Sequence, residues 1–134
     1  SNVTFTGYLP DREKLKLLEL CRGVVFPSYL RSEAFGVTLL EGSMYARPLI
    51  STEVGSGTSH VNVDGETGLV VTPGSPRALR AAMDELWSDP ERAQAMGRNA
   101  RRRYENLFTG QMMGERYYAT YQELLDRDGR TSAA

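Results

Sequence analysis

The feature that most constrains this chain is an alternation running through its first two thirds. Short apolar runs are separated by stretches whose apolar residues recur at helical spacing. Val24-Val25-Phe26 is apolar on both faces, as a central strand of a parallel sheet should be. Val3-Thr4-Phe5-Thr6, Pro48-Leu49-Ile50-Ser51-Thr52 and Leu69-Val70-Val71 read as further short strands. Asp11 is placed to cap a helix reaching about Arg22, with Leu15, Leu17, Leu18 and Cys21 on its buried side. A second helix is expected from about Thr38 to Tyr45. Strand, helix, strand, helix, strand implies an α/β domain with parallel strands and right-handed crossovers.

The last third reads as helical. Ser75-Pro76 and Asp89-Pro90 each set a capping side chain before a proline at the first helical position. The first of these helices carries Leu79, Met83, Leu86 and Trp87 on one face. The second carries Ala93, Met96, Ala100, Tyr104 and Phe108. A third, after Thr109, carries Met113, Tyr117, Tyr121, Leu124 and Leu125. The tyrosines at helical spacing, Tyr104, Tyr117, Tyr118 and Tyr121, are expected mostly in the core. Gly129 to Ala134 is expected to fray.

Composition excludes several classes. With 134 residues the chain has room for one compact domain with its own core. A net charge of −1 gives no footprint of a nucleic-acid binder. No apolar run approaches the roughly 18 residues of a membrane helix. One cysteine, Cys21, makes no internal disulfide and no Cys-based zinc site, which fits a reducing cytoplasm. The one histidine, His60, has no acid/base partner nearby in sequence.

In parallel α/β sheets ligands bind outside the carboxyl ends of the strands. The loops after Thr6, Phe26 and Thr52 are therefore the places to search. The loop after Phe26 enters a helix, whose start exposes unpaired N–H groups and a partial positive charge. Gly36 lets backbone approach a ligand closely. Glu33 lies before this helix start and Glu41 about one turn inside it. Two carboxylates would repel phosphate but suit hydroxyls. A ligand with hydroxyls on both sides of a phosphate is a nucleotide sugar.

Glu33-x7-Glu41, within Ser32-Glu33-Ala34-Phe35-Gly36-Val37-Thr38-Leu39-Leu40-Glu41-Gly42, resembles the Glu-x7-Glu motif of group 1 (family 4) retaining glycosyltransferases. Three further landmarks follow the same order as in that family. They are Val24-Val25-Phe26-Pro27-Ser28, Ala46-Arg47-Pro48-Leu49-Ile50-Ser51-Thr52, and Asp64-Gly65-Glu66-Thr67-Gly68-Leu69-Val70-Val71. The resemblance runs from about Val3 to Leu125. It implies part of the C-terminal, nucleotide-sugar-binding domain of a GT-B fold: a Rossmann-like parallel sheet with flanking helices and a helical C-terminal run, over residues 3–128.

The resemblance also implies roles. Glu33 would be the catalytic-site carboxylate contacting hydroxyls of the transferred sugar. Backbone N–H groups of Phe35, Gly36, Val37 and Thr38 would hold the sugar and the distal phosphate, and Glu41 the ribose. Leu9, Asp11 and Lys14 match positions that touch the base in some relatives. No cofactor and no metal is implied; the leaving phosphate would assist the incoming hydroxyl. The family often has Gly-Gly and then a glutamate after the third strand. Here Thr52-Glu53-Val54-Gly55-Ser56-Gly57-Thr58-Ser59-His60-Val61-Asn62 departs from that. It resembles a subgroup of bacterial polysaccharide mannosyl- and rhamnosyl-type transferases, which favours a GDP-linked donor over a UDP-linked one. An N-terminal domain would bind the acceptor, a glycan or lipid-linked sugar. Earlier strands would supply an Arg and a Lys for the diphosphate. Without them the chain is expected to be an inactive fragment, Ser1-Asn2 a cloning scar, and its first strand an exposed edge that invites dimerisation. The whole enzyme would be cytoplasmic, at most peripheral at the inner membrane face.

Plainer readings stand beside these. Thr38-x-x-Glu41 spells a capping box. Glu33 alone would be a solvated loop charge. Gly55-Ser56-Gly57-Thr58-Ser59-His60 begins like a dinucleotide fingerprint without its third glycine, and is read as a tight loop lining the donor cleft. Asp126-Arg127-Asp128 matches a metal pattern of a different glycosyltransferase fold by coincidence. Arg98, Arg101, Arg102 and Arg103 read as a solvated helix face. The competing functions are a non-catalytic nucleotide or nucleotide-sugar binding module on the same fold and a plain signalling or scaffold domain of flavodoxin-like shape. A receiver-type signalling domain would want an acidic cluster and a phosphorylatable Asp at strand ends, and Val24 to Pro27 offers none.

Overall fold

The computed structural model describes residues 2–131, with side-chain surroundings through residue 127. The helices are α1 (Asp11–Leu20), α2 (Val37–Met44), α3 (Thr58–Val61), α4 (Pro76–Ser88), α5 (Pro90–Leu107) and α6 (Gly110–Thr131). The strands are β1 (Val24–Phe26), β2 (Leu49–Thr52) and β3 (Gly68–Val71), parallel and in the order β1-β2-β3. The register pairs Val24 with Leu49 and Leu49 with Gly68. The α/β class with parallel strands is therefore as the sequence implies.

The sheet divides the core in two because successive strand residues face opposite ways. Leu49 joins Leu18, Val24, Leu39, Val61 and Ala100 on one face. Ile50 joins Leu69, Ala82, Leu86, Ala93 and Met96 on the other. Helix α5 serves both clusters. Its start, Ala93 and Met96, packs behind β2 and β3, and Ala100 reaches the α1–α2 side.

The two Pro-marked helix starts are capped as expected. Ser75 Oγ accepts from the Ala78 N–H at 3.2 Å and Asp89 Oδ1 from the Arg92 N–H at 3.0 Å. At Thr109, Oγ1 accepts from the Met112 N–H. The capping box at Thr38 does not form: the residue preceding α2 is Gly36, and no side chain at that cap position bonds the helix. Nor is Asp11 a cap. It is the first residue of α1, and Pro10 precedes it without a capping bond.

Several expectations about burial and pairing are corrected. Val3–Thr6 forms no strand, and Phe5 is 95% exposed. Among the described residues the sheet's edge strands are β1 and β3, each paired with β2. On α1 only Leu18 is fully buried, since a single contact stripe reaches the sheet and Leu15 and Leu17 flank it in solvent. On α4 Ala82 and Leu86 are buried, while Met83 and Trp87 lie outside, Trp87 beneath the Arg22 guanidinium at 4.1 Å from the ring centroid. Tyr117, Tyr118 and Tyr121 are exposed rather than core, because α6 leaves that face without a layer over it among the described residues. Helix α6 continues to Thr131, into the stretch expected to fray. Ser1, of the Ser1-Asn2 pair, and residues 132–134 lie outside the described residues.

Candidate functional site at the start of helix α2

The loop from Pro27 to Gly36 leaves β1 at its carboxyl end and turns into α2. Two bonds fix it to the neighbouring strand and loop. Thr52 Oγ1, at the end of β2, donates to the Ser28 carbonyl. The Gly57 N–H donates to the Ala34 carbonyl at 2.8 Å. Gly57 is there because nothing larger fits: a Cβ would stand 2.6 Å from the Ala34 oxygen and 2.9 Å from Phe35 Cδ2. The glycine loop after β2 thus lies directly on the Glu33 loop.

Gly36 takes φ 83° and ψ 60°, the left-handed conformation that L side chains resist. That turn swings the chain into α2 and leaves the first N–H groups pointing out of the loop. Glu33 fills them. Its Oε1 accepts from the Gly36 N–H at 2.9 Å and the Phe35 N–H at 3.4 Å. A carboxylate oxygen therefore occupies an N–H nest at a helix start, the environment that favours anions.

Glu41 lies further along α2 and meets a different partner. Its Oε1 accepts from Lys14 Nζ at 2.7 Å, across 27 residues of sequence. Lys14 is also 3.5 Å from Asp11 Oδ1. The hydrogen bond and charge of Glu41 raise the Lys14 pKa above its ordinary value; desolvation opposes them, and Asp11 adds a lesser contribution. So the structure brings Asp11, Lys14 and Glu41 into one chain of contacts. Leu9 is half-buried in the turn before α1. Phe35 is half-buried, stacked edge-on to Phe108 at 5.9 Å between centroids, and Val37 and Thr38 are exposed.

Four residues with structural duties near the site were not assigned from sequence. Glu53 organises the glycine loop, accepting from the Gly55 N–H at 2.8 Å and Ser59 Oγ at 2.7 Å. The Ser59 bond, then the Gly55 N–H, hold its carboxyl below the ordinary range. Arg47 donates to the carbonyls of Leu18 and Glu19 and so docks the end of α1. Asn62 and Thr67 form a buried bridge between the turn before β3 and the strands: Asn62 Nδ2 donates to Ser51 Oγ at 2.8 Å and to the Leu69 carbonyl at 3.1 Å, and Thr67 Oγ1 donates to Asn62 Oδ1 at 2.9 Å. Of these, Arg47 and Thr67 lie in family landmarks. Asn62, at the end of the segment that departs from the family pattern, is fully buried structure.

The remaining marked residues behave as solvated or structural groups. Arg101 pairs with Glu105, Arg102 bonds Asn99, and Arg103 donates to the His60 carbonyl. His60 stacks on Phe108. Cys21 is half-buried, and that burial pushes its thiol pKa up. Among the described residues no group of three or more His, Cys, Asp or Glu side chains is placed to hold a metal ion. No helix among them is long and apolar enough to cross a membrane.

Comparison with known proteins converges on one family. Residues 1–103 match the model of "Glycosyl transferases group 1". The chain is 54% identical over 126 residues to the O-antigen chain mannosyltransferase C of Escherichia coli, covering 94% of this chain and 34% of that protein. It is 57% identical over 108 residues to the D-rhamnosyltransferase WbpZ of Pseudomonas aeruginosa, covering 81% and 28% respectively. The chain thus spans about a third of the length of these relatives. Among solved structures it resembles sucrose-phosphate synthase from Thermosynechococcus elongatus, with TM-score 0.79 and 30% identity over 92% of this chain and 30% of that one. It shares its fold with Anabaena Alr3699/HepE, solved in complex with UDP and glucose, at TM-score 0.77 and 19% identity over 90% of this chain and 32% of that one.

Proposed function

Because the chain belongs to the group 1 glycosyltransferases, with part of a GT-B fold, we propose that it binds the nucleotide-diphosphate-sugar donor at the start of α2. The whole protein would then transfer a hexose, with retention, to a glycan or lipid-linked acceptor held outside this chain. In the reaction the bond between the sugar C1 and the leaving phosphate oxygen breaks. A bond from the acceptor oxygen to C1 forms, and the acceptor proton passes to the leaving phosphate. The chain's part is positioning and charge stabilisation rather than supply of a strong base.

The observation that carries this reading is the Glu33 carboxylate seated on the N–H groups of Phe35 and Gly36. It supports an N–H nest that accepts an anionic oxygen. When donor binds, a phosphate oxygen takes over the nest formed by Phe35, Gly36, Val37 and Thr38. Glu33 is released to accept hydrogen bonds from sugar hydroxyls, and Glu41 accepts from the ribose. The mannosyl and rhamnosyl relatives favour a GDP-linked, mannose-like donor over a UDP-linked one, and the expected setting is the cytoplasm. The roles need no metal.

The test is an amide NMR titration of the 134-residue chain with GDP, UDP, GDP-mannose and UDP-glucose, repeated on Glu41→Ala. Shifts over Gly36 to Glu41 and in the Gly55 loop, lost in the variant and strongest for guanosine ligands, are expected. Absence of shifts at millimolar ligand would overturn donor binding by this chain, and a uridine preference would overturn the base.

A further inference from the structure

Two cavities lie beside the site. The one of about 430 Å³ between Phe35, Phe108, Met113 and Tyr117 is mostly apolar, with His60, Arg116 and Thr120 also on its wall, a lining that singles out no one ligand chemistry. The smaller one at the strand ends, beside Pro27 and Thr52, lacks a charged wall. The contact between Lys14 and Glu41 goes further, because it joins α1 to the proposed ribose-binding carboxylate through a single atom pair.

We infer that Lys14 is a positioning residue for the nucleotide: it holds the Glu41 carboxylate in the orientation that receives the ribose hydroxyls, and does not read the base. This deepens the donor-binding proposal and rests on it. The geometry is specific. Lys14 Nζ meets Glu41 Oε1 at 2.7 Å. A carboxylate offers about four acceptor positions, so this bond occupies one and leaves the Oε2 side for two ribose hydroxyls. Glu41 is on α2, and its side chain is 29% exposed, so the carboxylate is held against the protein yet open to a ligand on one side. Lys14 is itself steadied by Asp11 one turn earlier in α1. The ammonium thus stands between two carboxylates, hydrogen-bonded to Glu41 at 2.7 Å and 3.5 Å from Asp11.

This fixes what substitution should do. Lys14→Met should weaken nucleotide binding about two- to five-fold, the range of a partly exposed ion pair. The loss should be equal for GDP and UDP. It should persist with the uncharged nucleosides guanosine and uridine, and shrink with 2′-deoxy-GDP. Lys14→Arg should restore most of it. The loss should also disappear in a Glu41→Gln background, where there is no carboxylate to orient.

The experiment is isothermal titration or NMR titration of the wild-type chain, Lys14→Met, Lys14→Arg, Glu41→Gln and the Lys14→Met/Glu41→Gln double variant against those five ligands. Amide spectra confirm that each variant is folded, with Lys14→Gln replacing any Lys14→Met protein that is not. Three patterns of loss would overturn the inference. A loss that differs between guanosine and uridine ligands would make Lys14 a base contact. A loss confined to the phosphorylated ligands would make it a phosphate attractor. A loss unchanged in the Glu41→Gln background would leave the carboxylate uninvolved. If the wild-type chain binds no nucleotide at all, donor binding fails and this inference falls with it. That pattern is distinct from wild-type binding with no effect of Lys14→Met, which overturns the inference alone.

Discussion

The segment from Thr58 to Gly68 and the helix α6 invert the usual order of burial. The first is polar, yet Thr58, Asn62 and Thr67 are each at most 1% exposed. The second carries Met113, Tyr117, Tyr121 and Leu125 at helical spacing, and each is 58% or more exposed. The difference lies in partners. Every donor and acceptor brought inside with Asn62 and Thr67 finds a bond, to Ser51, Leu69 or Val63, so burial costs little. The apolar stripe of α6 shows which face a covering layer would take, but among the described residues there is little beyond α5 for it to pack on. Periodicity predicts a face; it does not supply what lies against it.

The sharpest way to break this comparison is at Gly68. A Cβ there would stand 1.9 Å from the Leu49 carbonyl oxygen, at the first pair of the β2–β3 ladder. Gly68→Ala must push the strands apart, and a loss of about 3–5 kcal/mol is expected, of the size reserved for broken cores. Gly65, in the same turn, has φ 73° with nothing within 4 Å of an added Cβ. Gly65→Ala should cost only the left-handed penalty, about 1–2 kcal/mol. Urea denaturation of the two variants checks the ratio. Equal losses would mean that the turn's conformation matters rather than its packing.

Next in size is Asn62→Leu, which keeps the branched shape and removes the bridge. Ser51 Oγ, the Leu69 carbonyl and Thr67 Oγ1 all lose a partner inside the protein. Stranded buried groups cost about 1–3 kcal/mol each when no water reaches them; relaxation and the gain in apolar burial should bring the sum to about 2–3 kcal/mol. A neutral or stabilising outcome would show that the network is not what holds the turn.

These same elements explain what could be read from the sequence. The caps at Ser75 and Asp89 were legible because donor and acceptor lie three residues apart, and so was the Glu-x7-Glu loop as an ordered motif. Contacts that fold supplies were not. Lys14 and Glu41 are 27 residues apart, and no spacing rule joins them. Glu33 seemed a loop charge or a sugar ligand, yet its position three residues before Gly36 also made the local bond possible once Gly36 turned left-handed. Val3–Thr6 has strand composition, but a strand exists only as part of a ladder. The faces of α1 and α4 were read one residue too wide, because helical period fixes direction and the sheet decides how much of the stripe it covers.

A smaller effect separates the loops from the core by pH. Glu53 has its carboxyl pKa lowered from 4.5, first by the Ser59 hydroxyl and then by the Gly55 N–H. A lowered folded value means that the contribution is present above the unfolded pKa and is lost as pH falls through the folded one. Acidification below 4.5 should therefore loosen the Gly55–Ser59 loop while the sheet persists. NMR of the Gly55 amide and Glu53 carboxyl should show a midpoint below 4.5, and Glu53→Gln should abolish the transition at Gly55. A midpoint above that value would mean the carboxylate is not held as described.

The smallest effect is expected on α6. Tyr121 is 63% exposed and Leu125 64%, so truncating either removes little surface that folding had taken from water. Tyr121→Ala and Leu125→Ala should each change the stability of this chain by no more than about 0.5 kcal/mol, although both are large apolar residues on the hydrophobic face of a 22-residue helix. The helix has a reason to persist without them. Thr109 Oγ1 accepts from the Met112 N–H at its start, Gln111 bonds Glu115 one turn on, and residues such as Met, Glu, Gln, Leu and Ala, all present along it, are good helix formers. A loss near 2 kcal/mol in either variant would place those side chains against a surface in solution, and α6 would then belong to the same packed unit as the Asn62 turn rather than stand as its counterexample.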